Sequence, residues 1–135
     1  MNNESIANAI RSRFKTQVAD AIPLSTQYDN HDTDNPDETS WCRLTIKTGK
    51  AQQVSIGNPS AQRYRTPGVM IAQLFCPIGK GDSELKGLAD SIIAAFRGVT
   101  DTGVTFRTPY MNEVGRKDAD WQINVVCPFY ADDIG

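Results

Sequence analysis

At 135 residues, with 39% hydrophobic and 22% charged side chains, the chain is long enough to close one hydrophobic core and too apolar for intrinsic disorder. Fourteen basic against sixteen acidic residues leave a formal charge of −2, which supplies no broad attraction to nucleic acid or to an anionic membrane. No apolar run approaches the roughly 20 residues of a membrane-spanning helix, and Met1-Asn2-Asn3-Glu4 shows no basic region leading into an apolar core, so no signal peptide is expected.

The first predicted element is a helix over residues 3–19. Ile6, Ile10, Phe14 and Val18 recur every fourth position, opposite Asn8, Arg11, Lys15 and Gln17. Asn2 or Asn3 can cap its start, and Pro23 bars its continuation. Residues 24–28 read as a short edge strand. The polar, acidic run 29–38 that follows reads as an exposed loop, longer than the usual connection. Residues 41–47 alternate, with Cys42, Leu44 and Ile46 facing one way and Arg43, Thr45 and Lys47 the other, as in a half-buried strand. Thr48-Gly49-Lys50 predicts a hairpin-like turn and residues 51–56 a return strand with Val54 and Ile56 inward.

Residues 63–76 form the longest predicted strand. They are apolar on both faces beyond Val69, as a central strand covered on both sides would be. Pro67-Gly68 predicts a bulge or bend within it. Residues 82–97 make the clearest amphipathic helix, with Leu85, Leu88, Ala89, Ile92, Ile93 and Phe96 on one face and Gly98 placed to stop it in the left-handed conformation. Residues 104–107 predict a short strand, 108–118 a loop, and 120–130 a final strand with Trp121, Ile123, Val125, Cys127 and Phe129 on one face, followed by a loose tail. Together these elements predict a single domain over residues 1–135 of the α+β class, an antiparallel or mixed sheet with two helices packed on one face.

The residue types that carry chemistry are sparse. Cys42, Cys76 and Cys127 lie in apolar stretches with no metal-site spacing, so they are expected as buried reduced thiols, and their odd number fits a reducing cytosol. His31, the sole histidine, sits in the acidic run without a nucleophile or orienting partner near it in sequence. Asp29, Asp32, Asp34, Asp37 and Glu38 invite a calcium reading, but the glycine and flanking helix of an EF-hand loop are missing. Gly79-Lys80-Gly81-Asp82-Ser83 lacks the spacing of a phosphate-binding Walker loop and reads as a strand-to-helix turn. Arg63 and Arg65 alternate on one strand, while Arg107, Arg116 and Lys117 flank the predicted loop 108–118, with Tyr64 and Tyr110 close by. Interleaved basic and aromatic residues can bind nucleic acid. The pattern is thin and the chain is acidic, which favours a solvated sheet face or salt bridges between subunits.

Four segments, in order, carry a family resemblance. They are the helix Ile6-Ala7-Asn8-Ala9-Ile10-Arg11-Ser12-Arg13-Phe14, the strand Trp41-Cys42-Arg43-Leu44-Thr45-Ile46, the stretch from Tyr64-Arg65-Thr66-Pro67-Gly68-Val69 through Phe75-Cys76-Pro77-Ile78-Gly79-Lys80-Gly81 to a helix ending Phe96-Arg97-Gly98, and the closing strand Trp121-Gln122-Ile123-Asn124-Val125-Val126-Cys127-Pro128-Phe129. Together they resemble the tail terminator family of long-tailed bacteriophages, related in fold to the lambda tail terminator. The resemblance implies a non-enzymatic structural virion protein: a homohexameric ring that ends tail-tube growth, caps the head-proximal end of the tube and meets the head connector. It implies no cofactor and no catalytic residues. The expected partners are other copies of the chain, the tail-tube protein, a head-completion or connector protein, and DNA only in transit through the lumen. The expected location is the head-proximal end of the virion tail, after assembly in the host cytoplasm.

In this reading the runs 29–38 and 108–118 project from the sheet and contact neighbouring subunits, the tube or the connector. Asp29, Asp32, Asp34, Asp37, Glu38, Arg63, Arg65, Arg107, Tyr110, Arg116 and Lys117 are the candidate interface residues. Two other classes stand beside it. One is another head-tail joining or tail-tube protein, since fold does not fix role. The other is a small ligand-binding domain or enzyme, which would need a pocket of convergent polar groups.

Overall fold

Apolar side chains at every fourth position give residues 3–14 one inward stripe, and the computed structural model forms there the helix α1 (Asn3–Phe14), burying Ile6, Ile10 and Phe14. It describes residues 3–19, 25–28, 40–53, 63–77, 83–117 and 120–134. A spacing of four drifts about 40° per step around a 3.6-residue helix. The chain offsets that drift by widening its last turn into a π-helical one, Lys15–Ala19, and Val18 still lands fully buried. The second helix, α2 (Ser83–Phe96), buries Leu85, Ala89, Ile92 and Phe96. Gly98 follows with φ +62°, the left-handed stop, and the Val99 N–H donates to the Phe96 carbonyl at 3.3 Å.

Eight strands are described: β1 (Ser25–Tyr28), β2 (Trp41–Thr48), β3 (Gln52–Gln53), β4 (Arg63–Pro77), β5 (Thr100–Asp101), β6 (Val104–Phe106), β7 (Tyr110–Lys117) and β8 (Asp120–Ile134). They form one sheet in the order β1-β2-β4-β8-β6-β5, with β3 beside β4 and β7 beside β8. Every pairing is antiparallel except β1 with β2, so the fold is α+β on an antiparallel sheet with one parallel edge pair.

Register explains the core. Cys42 pairs with Leu74 and Leu74 with Ile123; Leu44 pairs with Ala72 and Ala72 with Val125; Ile46 pairs with Met70 and Met70 with Cys127. Paired residues share a sheet face. These rows join the stripes of both helices, Val104, Phe106 and Phe129 in one cluster. A chain of rings threads it: Phe14 and Phe96 at 6.2 Å, Phe96 edge-on to Phe106 at 4.9 Å, and Phe106 to Phe129 at 6.2 Å. Those four side chains tie α1, α2, β6 and β8 together. The three cysteines are buried thiols outside any disulfide. Burial raises the Cys42 thiol well above its ordinary range and pushes that of Cys127 up to about 12.

The structure corrects several sequence expectations. Thr48-Gly49-Lys50 is a jog and no hairpin: Thr48 pairs with Gly68, and after the jog Gln52 pairs with Arg65, so β2 and β3 run along the same edge of β4. The predicted inward Val54 and Ile56 lie outside the described residues. Pro67-Gly68 makes no bulge against β8, whose register is continuous from Arg63–Ile134 to Pro77–Asp120. Pro67 is tolerated because its missing N–H faces the jog, on the side where its carbonyl accepts from the Gly49 N–H at 2.7 Å. β4 is central, yet Val69, Ile71 and Gln73 stay partly exposed, so its second face is not fully covered.

The expected loop 108–118 is largely the strand β7, paired with β8 along its length; Gly115, at φ +92°, sits at the register shift that follows Glu113. The expected loose tail continues β8 to Ile134. The hairpin β5–β6 was not anticipated. Thr102 and Gly103 both hold positive φ, 52° and 83°, between the paired Asp101 and Val104, as a two-residue hairpin turn of matching twist requires.

Candidate assembly surface

The sheet residues that alternate with the core rows form the opposite face. Trp41, Phe75 and Gln122 make its first row; Arg43, Gln73 and Asn124 the second; Thr45, Ile71, Val126 and Tyr110 the third; Lys47, Val69 and Pro128 the fourth; Pro67, Tyr130 and Thr105 the fifth; Arg65 and Asp132 the sixth. Trp41 and Phe75 stack at 4.3 Å and 16°, and the Arg43 guanidinium lies over both rings at 5.5 and 5.8 Å. Gln122 is buried beside them. Its Nε2 donates to Asn124 Oδ1 at 2.8 Å, while its Oε1 accepts no hydrogen bond among the described residues.

At the other end Arg65 and Arg107 flank the Tyr130 ring, 4.1 and 4.8 Å from its centroid. Arg65 is held bidentately by Asp132, at 2.8 and 3.0 Å. The Arg107 backbone N–H donates to the Pro128 carbonyl at 2.8 Å, which fixes that residue beside β8. Arg43, Lys47 and Arg107 are exposed and face no carboxylate among the described residues. Between the cations lie Val69, Ile71, Val126 and Pro128, partly exposed, and Tyr110, 54% exposed.

Among the residues singled out from sequence, Arg65, Arg107 and Tyr110 come together on this one face. Arg116 does not: it is exposed but pairs with Trp121, on the alternation that faces the core. Arg63 pairs in register with Ile134 and Lys117 with Asp120 at the strand ends; only their backbones are described. Asp29, Asp32, Asp34, Asp37 and Glu38, with His31 and the Gly79-Lys80-Gly81 turn, lie outside the described residues. Sequence reasoning did not single out Arg43 and Lys47, although their alternation with Cys42, Leu44 and Ile46 already placed them on the outward face. It also gave no role to Arg13. The Arg13 guanidinium donates to the Ala95 carbonyl at 2.6 and 3.1 Å, pairs with Asp101 at 3.2 Å and lies over Phe96.

No cluster of three or more His, Cys, Asp or Glu side chains that could hold a metal occurs among the described residues, and no described helix is long and apolar enough to cross a membrane. This face is apolar at its centre and basic at its margins.

Comparison with known proteins gives this surface a context. No curated relative matches the chain. One solved protein chain superposes with a TM-score of 0.71 at 18% identity, over 97% of this chain and 96% of its own, which is a likeness of fold. The sequence profile of the family described as Phage tail terminator protein matches residues 5–129, from the first turn of α1 to Phe129 in β8. The chain therefore belongs to the phage tail terminator protein family, a family of structural proteins of the phage tail.

Proposed function

We propose that this protein ends tail-tube polymerisation by sitting as a homohexameric ring on the head-proximal end of the tube, where it presents a surface to the head connector and lets DNA pass through its lumen without chemistry. The family match over residues 5–129 carries this reading. It casts the chain as a single domain over residues 1–135 and a non-enzyme without a cofactor. Both helices lie against one face of the sheet in this reading, which their shared cluster supports. The other face and the sheet edges then remain for neighbours. A closed ring needs two different surfaces that complement each other around the axis. The partners are other copies of the chain, the tube protein and a head-completion or connector protein. The place of action is the head-proximal end of the virion tail, reached from the host cytoplasm during assembly.

The test is tube growth in vitro. Tube protein polymerised with increasing amounts of this protein is expected to give progressively shorter tubes, each capped at one end in electron micrographs. Unchanged tube lengths, or incorporation of the protein along the tube wall, would refute termination and favour a tube role.

A further inference from the structure

The face opposite the core is charged against the trend of the chain. Among side chains described there, Arg43, Lys47, Arg65 and Arg107 oppose Asp120 and Asp132, a charge of +2 on a protein of −2, so the remainder carries −4. Arg65 is already neutralised by Asp132. Arg43, Lys47 and Arg107 meet no carboxylate among the described residues, and they surround the partly exposed Val69, Ile71, Val126 and Pro128. Cations around an apolar centre fit an acidic polypeptide. A nucleic acid would favour open aromatic platforms for its bases. Here Trp41 and Phe75 are buried under Arg43, and Tyr130 is flanked by two guanidiniums.

The densest acid in the chain is the sequence 29–38, with Asp29, Asp32, Asp34, Asp37 and Glu38 and no Lys or Arg. Its attachment gives it reach. β1 runs parallel to β2, with Ser25 opposite Trp41 and Tyr28 opposite Leu44, so the connection 29–39 has only to return along a four-residue strand at the sheet edge. That return needs about 13 Å at roughly 3.3 Å per residue, against a contour of about 36 Å for eleven residues.

We infer that the basic face of one copy is occupied by the acidic segment 29–38 of a neighbouring copy. This rests on the ring reading proposed above and names the two surfaces that would meet in it. The contact is heterologous, face to segment, as a cyclic assembly requires.

Mixing charge-reversed copies tests it. One variant carries Arg43→Glu, Lys47→Glu and Arg107→Glu on the face; the other carries Asp32→Lys, Asp34→Lys and Asp37→Lys in the segment. In sedimentation velocity each alone is expected to self-associate at least tenfold more weakly than the unaltered protein, while an equimolar mixture regains assembly, because each face then meets a segment of opposite sign. If the triple face variant does not fold by circular dichroism, Lys47→Glu with Arg107→Glu leaves the Trp41–Phe75 stack untouched and serves the same purpose. Variants that assemble like the unaltered protein, or a mixture that does not recover, overturn the inference and leave the ring reading standing. An unaltered protein that never associates, alone or on tail tubes, overturns both. A face variant that loses binding to a short single-stranded oligonucleotide yet assembles normally assigns the face to nucleic acid and overturns the inference as well.

Discussion

Gly68 shows how much one residue fixes. It sits in the middle of β4, opposite Phe129, and a methyl group there would stand 2.4 Å from the Phe129 ring and 2.6 Å from the Lys47 carbonyl. The ring belongs to the aromatic chain through the core and the carbonyl to the adjacent strand, so neither can yield cheaply. Gly68→Ala is expected to destabilise the protein by about 1–3 kcal/mol, the usual cost of overpacking, read as a lower midpoint in chemical denaturation. An unchanged midpoint would show that the close approach is not real. The sequence drew attention to this position, but for another reason. Pro67-Gly68 read as a bend because both residues interrupt strands, whereas the glycine makes room for a ring that arrives from a strand about sixty residues later. No local pattern records such a contact.

At the scale of elements, Arg13 joins three of them. From α1 it caps the last turn of α2 through the Ala95 carbonyl and reaches Asp101 at the turn of the β5–β6 hairpin. The Thr102 hydroxyl and the Arg13 guanidinium together hold the Asp101 carboxyl below its ordinary value. A carboxyl depressed in the folded state favours folding above the unfolded value of about 3.9, and that contribution is lost as pH falls through the folded value. Asp101→Asn is therefore expected to lower stability at neutral pH by more than it does near pH 2–3, in paired denaturation curves at the two pH values. A difference that does not change with pH would mean that the contacts of the ionised carboxyl with Thr102 and Arg13 contribute nothing. Both helices and the strands β2, β4 and β8 were legible in their apolar periodicity, because it reflects burial along a single element. The strand β7 was not. Pro109, Gly115 and three charged residues masked it, and it is a strand because β8 offers a free edge and the shift at Gly115 absorbs the misfit. Arg13 was hidden for the same reason as Gly68, since its partners lie more than eighty residues away. Of the candidate interface residues, Arg65, Arg107 and Tyr110 do share a face, but the grouping comes from strand register, which the sequence does not display.

At the scale of the whole molecule, the fold separates two kinds of surface. One sheet face contributes its rows to the core cluster that α1 and α2 also enter; the other shows an apolar centre with arginine and lysine around it that meet no carboxylate among the described residues. The ring proposed above would use such a face, and membership of the tail terminator family places the protein among the structural proteins of the phage tail. Tube and terminator proteins are told apart by where growth stops, so the most direct measurement is the mass of the purified protein by light scattering, with negative-stain images of the same fractions alone and after incubation with tail tubes. The account predicts closed rings near six subunits, free in solution or formed on the tube end, and no extension beyond one ring. Long open tubes made by this protein alone, or a monomer that never engages tail tubes, would contradict it.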